Sequence, residues 1–304
     1  MMAQGAGGRM TDQGRAYMYG AATVGIWSTV ATAFKLALRH LDPLQLLLVA
    51  TIVSLLVLLT VLAWQGRLRE LGSVCRADLA RSALLGALNP FLYYVVLFEA
   101  YRLLPAQVAQ PVNYTWAITL TLLSVPLLGH RVTRGELLAV LVSYAGVVCI
   151  ATRGDLATLA EGNLHGVALA LASTVIWALY WIANTRSALE PVLGLTLGFA
   201  FGLPWVLGAT LAFSSLPLSG EALRGLPAAA YVGAFEMGVS FIFWLKAMKL
   251  TSSAARIGNL IFFSPFLSLV LISLVLGERI LPTTLLGLAC IVLGNLLQQR
   301  ASRR

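Results

Sequence analysis

The chain has 304 residues, of which 59% are hydrophobic and 11% charged, with a formal net charge of +9. Soluble domains are about 45–50% apolar and about 25% charged, so a water-soluble chain of this length could not build a solvated exterior. That excludes a soluble globular enzyme, a disordered protein and a nucleic-acid-binding module, and a mean hydropathy of +0.85 points to a polytopic helical membrane protein. A transmembrane β-barrel does not fit either, because the apolar runs are ~18–24 residues long rather than ~10-residue alternating segments. Cys75, Cys149 and Cys290 offer no disulfide framework, and the last two lie inside apolar runs as small core residues. His40, His130 and His165 are far apart and show no metal-ligand spacing, so no metal or other cofactor is expected.

Ten apolar segments follow one another, each close to the ~20 residues that cross a bilayer: 16–38, 44–65, 79–102, 106–128, 135–152, 164–184, 192–213, 225–247, 253–276 and 282–299. The first begins near Tyr17 and is long enough to remain as a span, so no cleavable signal peptide is expected. Basic residues divide unevenly between the two sets of connections. One set holds only Arg39, Arg102, Arg153, Arg224 and Arg279, one to each loop, while fourteen arginines and lysines lie in the other with both termini. The positive-inside rule therefore puts both termini in the cytoplasm of a bacterial inner membrane, and the basic excess needs no nucleic acid to explain it.

The chain also repeats itself. Leu85-Gly86-Ala87 through Glu99-Ala100 matches Val232-Gly233-Ala234 through Lys246-Ala247 at an offset of 147, and Leu128-Gly129-His130-Arg131 matches Leu276-Gly277-Glu278-Arg279 at 148. Trp27 and Trp177 hold similar places in the first span of each half. The expected architecture is all-α, ten transmembrane helices in two five-helix repeats. Five being odd, the second copy enters the membrane from the opposite side, as in many secondary transporters. The expected divisions are a cytoplasmic tail at 1–15, a first repeat at 16–152, an external linker at 153–163, a second repeat at 164–299 and a basic cytoplasmic tail at 300–304.

The stretch Ser252 to Arg279, with Ala254-Ala255, Pro265 in mid-span and the closing Gly277-Glu278-Arg279, resembles the repeat signature of EamA-type drug/metabolite transporters. Pro105 to Arg131 resembles it again, and the likeness covers nearly the whole chain, closest to the bacterial aromatic amino-acid exporters of that family. The resemblance implies two five-helix repeats and transport of small molecules. His130 departs from the pattern, since the family usually has a glutamate there.

Glu236 is the one carboxylate near the middle of a segment, where an ionisable group costs at least ~2.5–3.5 kcal/mol and so faces a wet cavity or a partner. Its repeat mate is Asn89; the alternative role for this pair is a hydrogen bond between the third and eighth spans. Rings and amides share faces at helical spacing. Trp177, Tyr180, Trp181 and Asn184 do so on the sixth segment, and Asn259, Phe262, Phe263 and Phe266 on the ninth. Asn89 with Tyr93, Asn113 with Trp116, and Glu236 with Ser240 and Phe243 make shorter versions. The candidate binding residues are therefore Glu236, Asn89, Tyr93, Trp116, Trp177, Tyr180, Trp181, Asn184, Asn259, Phe263 and Ser240. They suit a molecule with a flat apolar body and one polar end, its amino group on Glu236 and its carboxylate on Asn89, Asn184 or Asn259. Lys35, Lys246 and Lys249 are expected to snorkel from helix ends, and Glu99 and Arg102 to form an exposed pair. Glycines 194, 198, 202 and 208, with Gly287 and Gly294, read as close helix packing.

The leading function is export of amino acids, aromatic and other neutral ones, by alternating access. Efflux of lipophilic cations is the alternative within transport. An intramembrane enzyme would need a Ser/His or paired-Asp constellation, and a scaffold would not need polar groups buried at matching depths. With no GxxxxGK[ST] segment the chain cannot hydrolyse ATP alone. The expected partners are small-molecule substrates and the lipid bilayer, with no nucleic acid, for a monomer or homodimer. Orientation has a direct test: an impermeant maleimide added outside should label Arg39→Cys and spare Arg134→Cys, and the reverse pattern would invert the topology.

Overall fold

A computed structural model describes residues 11–128, 133–152, 163–184, 187–251, 257 and 259–301. His130 and nearly all of the expected linker at 153–163 lie outside these residues, as does the side chain of Asn259. The described chain is helical throughout, with no strand. Away from their ends, helices satisfy their backbone N–H and C=O groups internally, as a hydrocarbon surrounding demands. In order they are α1 (Asp12–Ala37), α2 (Pro43–Trp64), α3 (Arg76–Leu103), α4 (Ala106–Asn113), α5 (Trp116–Leu128) and α6 (Arg134–Ala151). They continue as α7 (Leu164–Asn184), α8 (Pro191–Phe213), α9 (Gly220–Leu250), α10 (Leu260–Leu276) and α11 (Pro282–Ala301). Among the described residues α2, α3, α6, α7, α8 and α9 are long and apolar enough to cross a membrane, and α10 is a shorter apolar helix.

Helix starts are written in local chemistry. Asp42 accepts from the N–H groups of Leu44 and Gln45 and is followed by Pro43 at the first helical position. Glu190 does the same for Val192 and Leu193 and is followed by Pro191. Such a carboxylate satisfies donors that have no partner inside the helix, and proline gives up an N–H that would be unpaired anyway. The segment expected to be one helix over 106–128 is two, because the chain turns at Tyr114 and Thr115, where the Thr115 hydroxyl bonds back to the Val112 carbonyl at 2.8 Å.

Two helices are distorted at related points. In α3 the turn over Ala87–Leu92 widens, and Asn89 leaves helical geometry at φ −144°, ψ 118°. Pro90 is the cause: it has no N–H to give and disfavours the helical conformation in the residue before it. In α9 the turn over Val232–Val239 widens likewise, around Glu236. Asn89 and Glu236, the pair matched at an offset of 147, thus both sit on widened turns.

The packing has a matching pattern. α1 lies on α9 and α10, while α7 lies on α3 and α5; α2 pairs with α8, and α6 with α11. Glycine lets several of these axes close in. A side-chain carbon on Gly146 would sit 2.5 Å from the Gly287 carbonyl oxygen, and one on Gly287 would sit 2.6 Å from that of Gly146. Gly202 likewise faces the Pro90 ring at 2.7 Å, and Gly86 faces the backbone of Gly198, so the expected ridge on α8 is real at two positions. It is absent at Gly208, where nothing lies within 4 Å. Overfilling such a contact typically costs about 1–3 kcal/mol. Gly287→Leu should therefore lower the thermal midpoint of the detergent-purified protein, whereas Gly208→Leu should leave it within error.

Candidate functional site

A cavity of about 100 Å³ lies in the middle of the bundle, walled by α1, α3, α4, α5, α7, α9 and α10. A cavity needs at least about 10–15 Å³ of such space to hold one water, so this one has room for several. Rings enter it from both halves. Tyr93 and Trp177 pack with centroids 4.6 Å apart, and Trp27 and Trp244 with centroids 5.4 Å apart. Trp116 and Trp181 complete the aromatic wall.

Among the described lining residues Glu236 is the single charged group. Its Oε1 accepts from the Tyr94 hydroxyl at 3.4 Å, and its Oε2 is buried with no hydrogen-bond partner among the described residues. A carboxylate so placed costs free energy until a donor or cation reaches it. Ser240 is not in the wall, but its fully buried hydroxyl accepts from the Trp27 indole N–H at 3.0 Å and donates to the Glu236 carbonyl at 2.5 Å. It thereby fixes the Trp27 ring to the turn that bears the acid.

A second cavity adjoins the first, with Trp181 and Phe241 common to both, and runs toward the end of the bundle where α7 meets α8. Tyr180 and Asn184 line this one. Tyr180 still stacks on Trp177, 5.4 Å between centroids. Asn89 is buried against Tyr180, outside both walls. The structure therefore gathers Glu236, Tyr93, Trp116, Trp177 and Trp181 in one chamber and puts Tyr180 and Asn184 in the next. It leaves Asn89 and Ser240 as supports behind the walls.

Phe263 does not join them. It is 63% exposed on the outside of α10, and Phe266 is exposed beside it. The spacing i, i+3, i+4 marks one face only in an α-helix, and Asn259–Phe263 winds as a tighter turn of three residues. Ile261 faces the chamber from this segment instead. Trp244, Tyr114 and Gln110, none of them among the expected residues, also line the chamber. Trp27 was marked by its match to Trp177, whereas a single glutamine in a mixed apolar segment carries no periodic signal.

Residues 14–152 and 164–298 each match the EamA-like transporter family. The chain belongs to that family. It is 24% identical over 297 residues to an uncharacterized transporter of Clostridium kluyveri, covering 95% of this chain and 94% of that one. To the aromatic amino acid exporter YddG of Ancylobacter novellus it is 29% identical over 211 residues, 66% of this chain and 68% of the exporter. It also superimposes on a solved crystal structure with a TM-score of 0.63 at 22% identity, covering 95% of this chain and 98% of the other, which shows a shared fold. The chain is a multi-pass membrane transporter and not an enzyme.

In this EamA chain one end of the bundle is latched by charge. Glu278, just past α10, accepts from the N–H groups of Ala106 and Gln107 at 2.9 and 3.1 Å, capping α4. Gln107 ties back to the Arg279 carbonyl at 2.9 Å and accepts from Thr284 at 3.1 Å. Lys35, expected to snorkel, sends its ammonium to the carbonyls of Tyr101 and Leu104 at 2.9 and 3.0 Å, the open acceptors where α3 ends. The α3–α4 hairpin is thus held from α1 on one side and the α10–α11 connection on the other. Arg102 and Glu99 pair beside it, as expected.

At the opposite end Glu190 joins Arg67 at 3.2 Å and Lys249 at 3.6 Å. Arg67 also grips Glu70 through two bonds of 2.7 Å, holding that carboxyl below the usual range. Lys246 lies over the Tyr19 ring at 5.5 Å.

The latch makes a measurable claim. In a chain with Cys75, Cys149 and Cys290 replaced by serine, Leu97→Cys puts one thiol in the chamber wall. Adding Glu278→Ala should raise its rate of labelling by an impermeant maleimide several-fold from the hairpin side. An unchanged rate would show that apolar packing alone closes that end.

Proposed function

We propose that this protein is a secondary transporter or facilitator that exports amino acids, aromatic ones included, across the cytoplasmic membrane. The observation that carries the reading is the chamber itself, in which rings from both halves surround one carboxylate with no cation beside it among the described residues. A zwitterion with a flat side chain supplies the missing ammonium and fills the aromatic wall. The likeness to an aromatic amino acid exporter supports the same class.

The proposed architecture is ten spans in two inverted five-helix repeats over 16–152 and 164–299, with both termini in the cytoplasm. Three observations support it. The family matches twice. The acid–proline helix starts at Asp42 and Glu190 recur at an offset of 148, and the widened turns at Asn89 and Glu236 at 147. Exchanging the halves also exchanges the helix contacts, α1 on α9 for α7 on α3. In this orientation the latched hairpin end faces outward and the second cavity leads inward. That is the arrangement of a carrier loading from the cytoplasm, and alternating access would release the Glu278 and Lys35 ties while closing the inner side.

The lipophilic-cation alternative keeps one observation in its favour, because a chamber whose one acidic group faces no basic group among the described residues accepts a cation without a carboxylate as readily. One variant tests what both readings share. Glu236→Gln keeps shape and hydrogen-bonding capacity but removes the charge, and in proteoliposomes it should cut phenylalanine flux about tenfold or more, equivalent to about 1.4 kcal/mol. Asn89→Ala, behind the wall, should have a milder effect. Wild-type flux in the glutamine variant across pH 5–8 would make Glu236 a structural residue.

A further inference from the structure

Two of the three expected carboxylate partners do not line the chamber that holds Glu236. Asn89 is behind the wall and Asn184 lines the second cavity, while the side chain of Asn259 lies outside the described residues. Two other polar groups of the wall stand ready. Gln110, on α4, is only 2% exposed, yet neither its amide nitrogen nor its oxygen has a hydrogen-bond partner among the described residues. The indole N–H of Trp181 is buried and equally without one. Buried polar side chains are nearly always paired, and leaving such a group unpaired costs about 1–3 kcal/mol. Glu236 Oε2, Gln110 and Trp181 all face one small chamber. Asn113, the other amide in the wall, already donates to the Ser173 hydroxyl at 2.9 Å.

We infer that Gln110, with the Trp181 indole N–H, receives the substrate's carboxylate, opposite the ammonium site at Glu236. This rests on the amino-acid reading above and adds the residue that separates an amino acid from an amine. Both donors are neutral. A primary amide and an indole can orient a carboxylate but do not cancel its charge as an arginine would. Charge is therefore matched only at the amino end. The site ranks its ligands accordingly: an aromatic amino acid binds, the corresponding aromatic amine binds comparably through Glu236 and the rings, and an N-acylated amino acid is rejected because it brings an anion to an acid with no ammonium in return.

Binding of phenylalanine, phenethylamine and N-acetylphenylalanine to the purified full-length protein, followed by calorimetry, separates these contributions. In the wild type the first two should bind and the third should not. Gln110→Leu should weaken phenylalanine about tenfold, the usual size of a lost hydrogen bond to a charged group, and leave phenethylamine within about twofold. Gln110→Glu keeps the size and polarity and sets a negative charge where the carboxylate would lie, so it should abolish phenylalanine binding while phenethylamine is held at least as well. If Gln110→Leu weakens both ligands equally, or neither, Gln110 is not the carboxylate site, although the amino-acid reading stands. If N-acetylphenylalanine binds the wild type as well as phenylalanine, the charge matching at Glu236 is wrong. If the wild type binds none of the three, the amino-acid reading itself fails and this assignment with it.

Discussion

A bilayer-spanning chain has no water with which to satisfy a broken backbone or an isolated charge, and this protein places both at the middle of its bundle. α3 gives up helical geometry at Asn89, and α9 widens around Glu236. In hydrocarbon such a defect is tolerated only where protein or a wet cavity covers it. The aromatic chamber covers Glu236, while Asn89 is covered by Tyr180 and by the glycine face of α8. The chamber's rings shield the carboxylate from lipid without neutralising it, and the Ser240 bridge to Trp27 ties the shield to the turn that carries the charge. Fold and function meet in this arrangement, since the defect that must be enclosed is also the group able to hold an ammonium.

The remaining charges mark the ends. Lys35 and Glu278 supply what helix termini lack, an ammonium for the last carbonyls of α3 and a carboxylate for the first N–H groups of α4. Hydrogen bonds of this kind hold in one geometry and release as a set when two helices separate. A carrier needs such a closure, firm in one state and absent in the other. The glycine contacts between α6 and α11 have the opposite character, because backbones in direct contact leave no side chains to rearrange.

Much of this was legible in the residues. The apolar segments mark where most of the helices run, although 106–128 divides into two, and the offset of 147 pairs Asn89 with Glu236 without foretelling that both turns widen. Trp177 and Trp181 were found from helical spacing, which holds wherever the helix is regular. Tyr93 and Trp116 were marked by the same rule although the turn at Asn89 and the break at Tyr114 interrupt their helices. The same rule failed at Phe263, where the backbone winds with three residues per turn and turns that ring outward. It also missed Gln110, whose significance depends on what stands opposite it in space. For Lys35 the sequence marked a helix end but not the acceptors, because the two carbonyls come from the neighbouring helix.

In the proposed complex one ligand lies among the rings of both halves with its amino end on Glu236. The most direct measurement is the anomalous signal of bromine in crystals grown from lipid with 4-bromophenylalanine. The account predicts a single bromine peak within the aromatic wall formed by Trp27, Tyr93 and Trp177, with density for the amino group reaching the Glu236 carboxylate. A bromine peak confined to the second cavity or the lipid-facing surface, with the chamber holding only solvent, would contradict it.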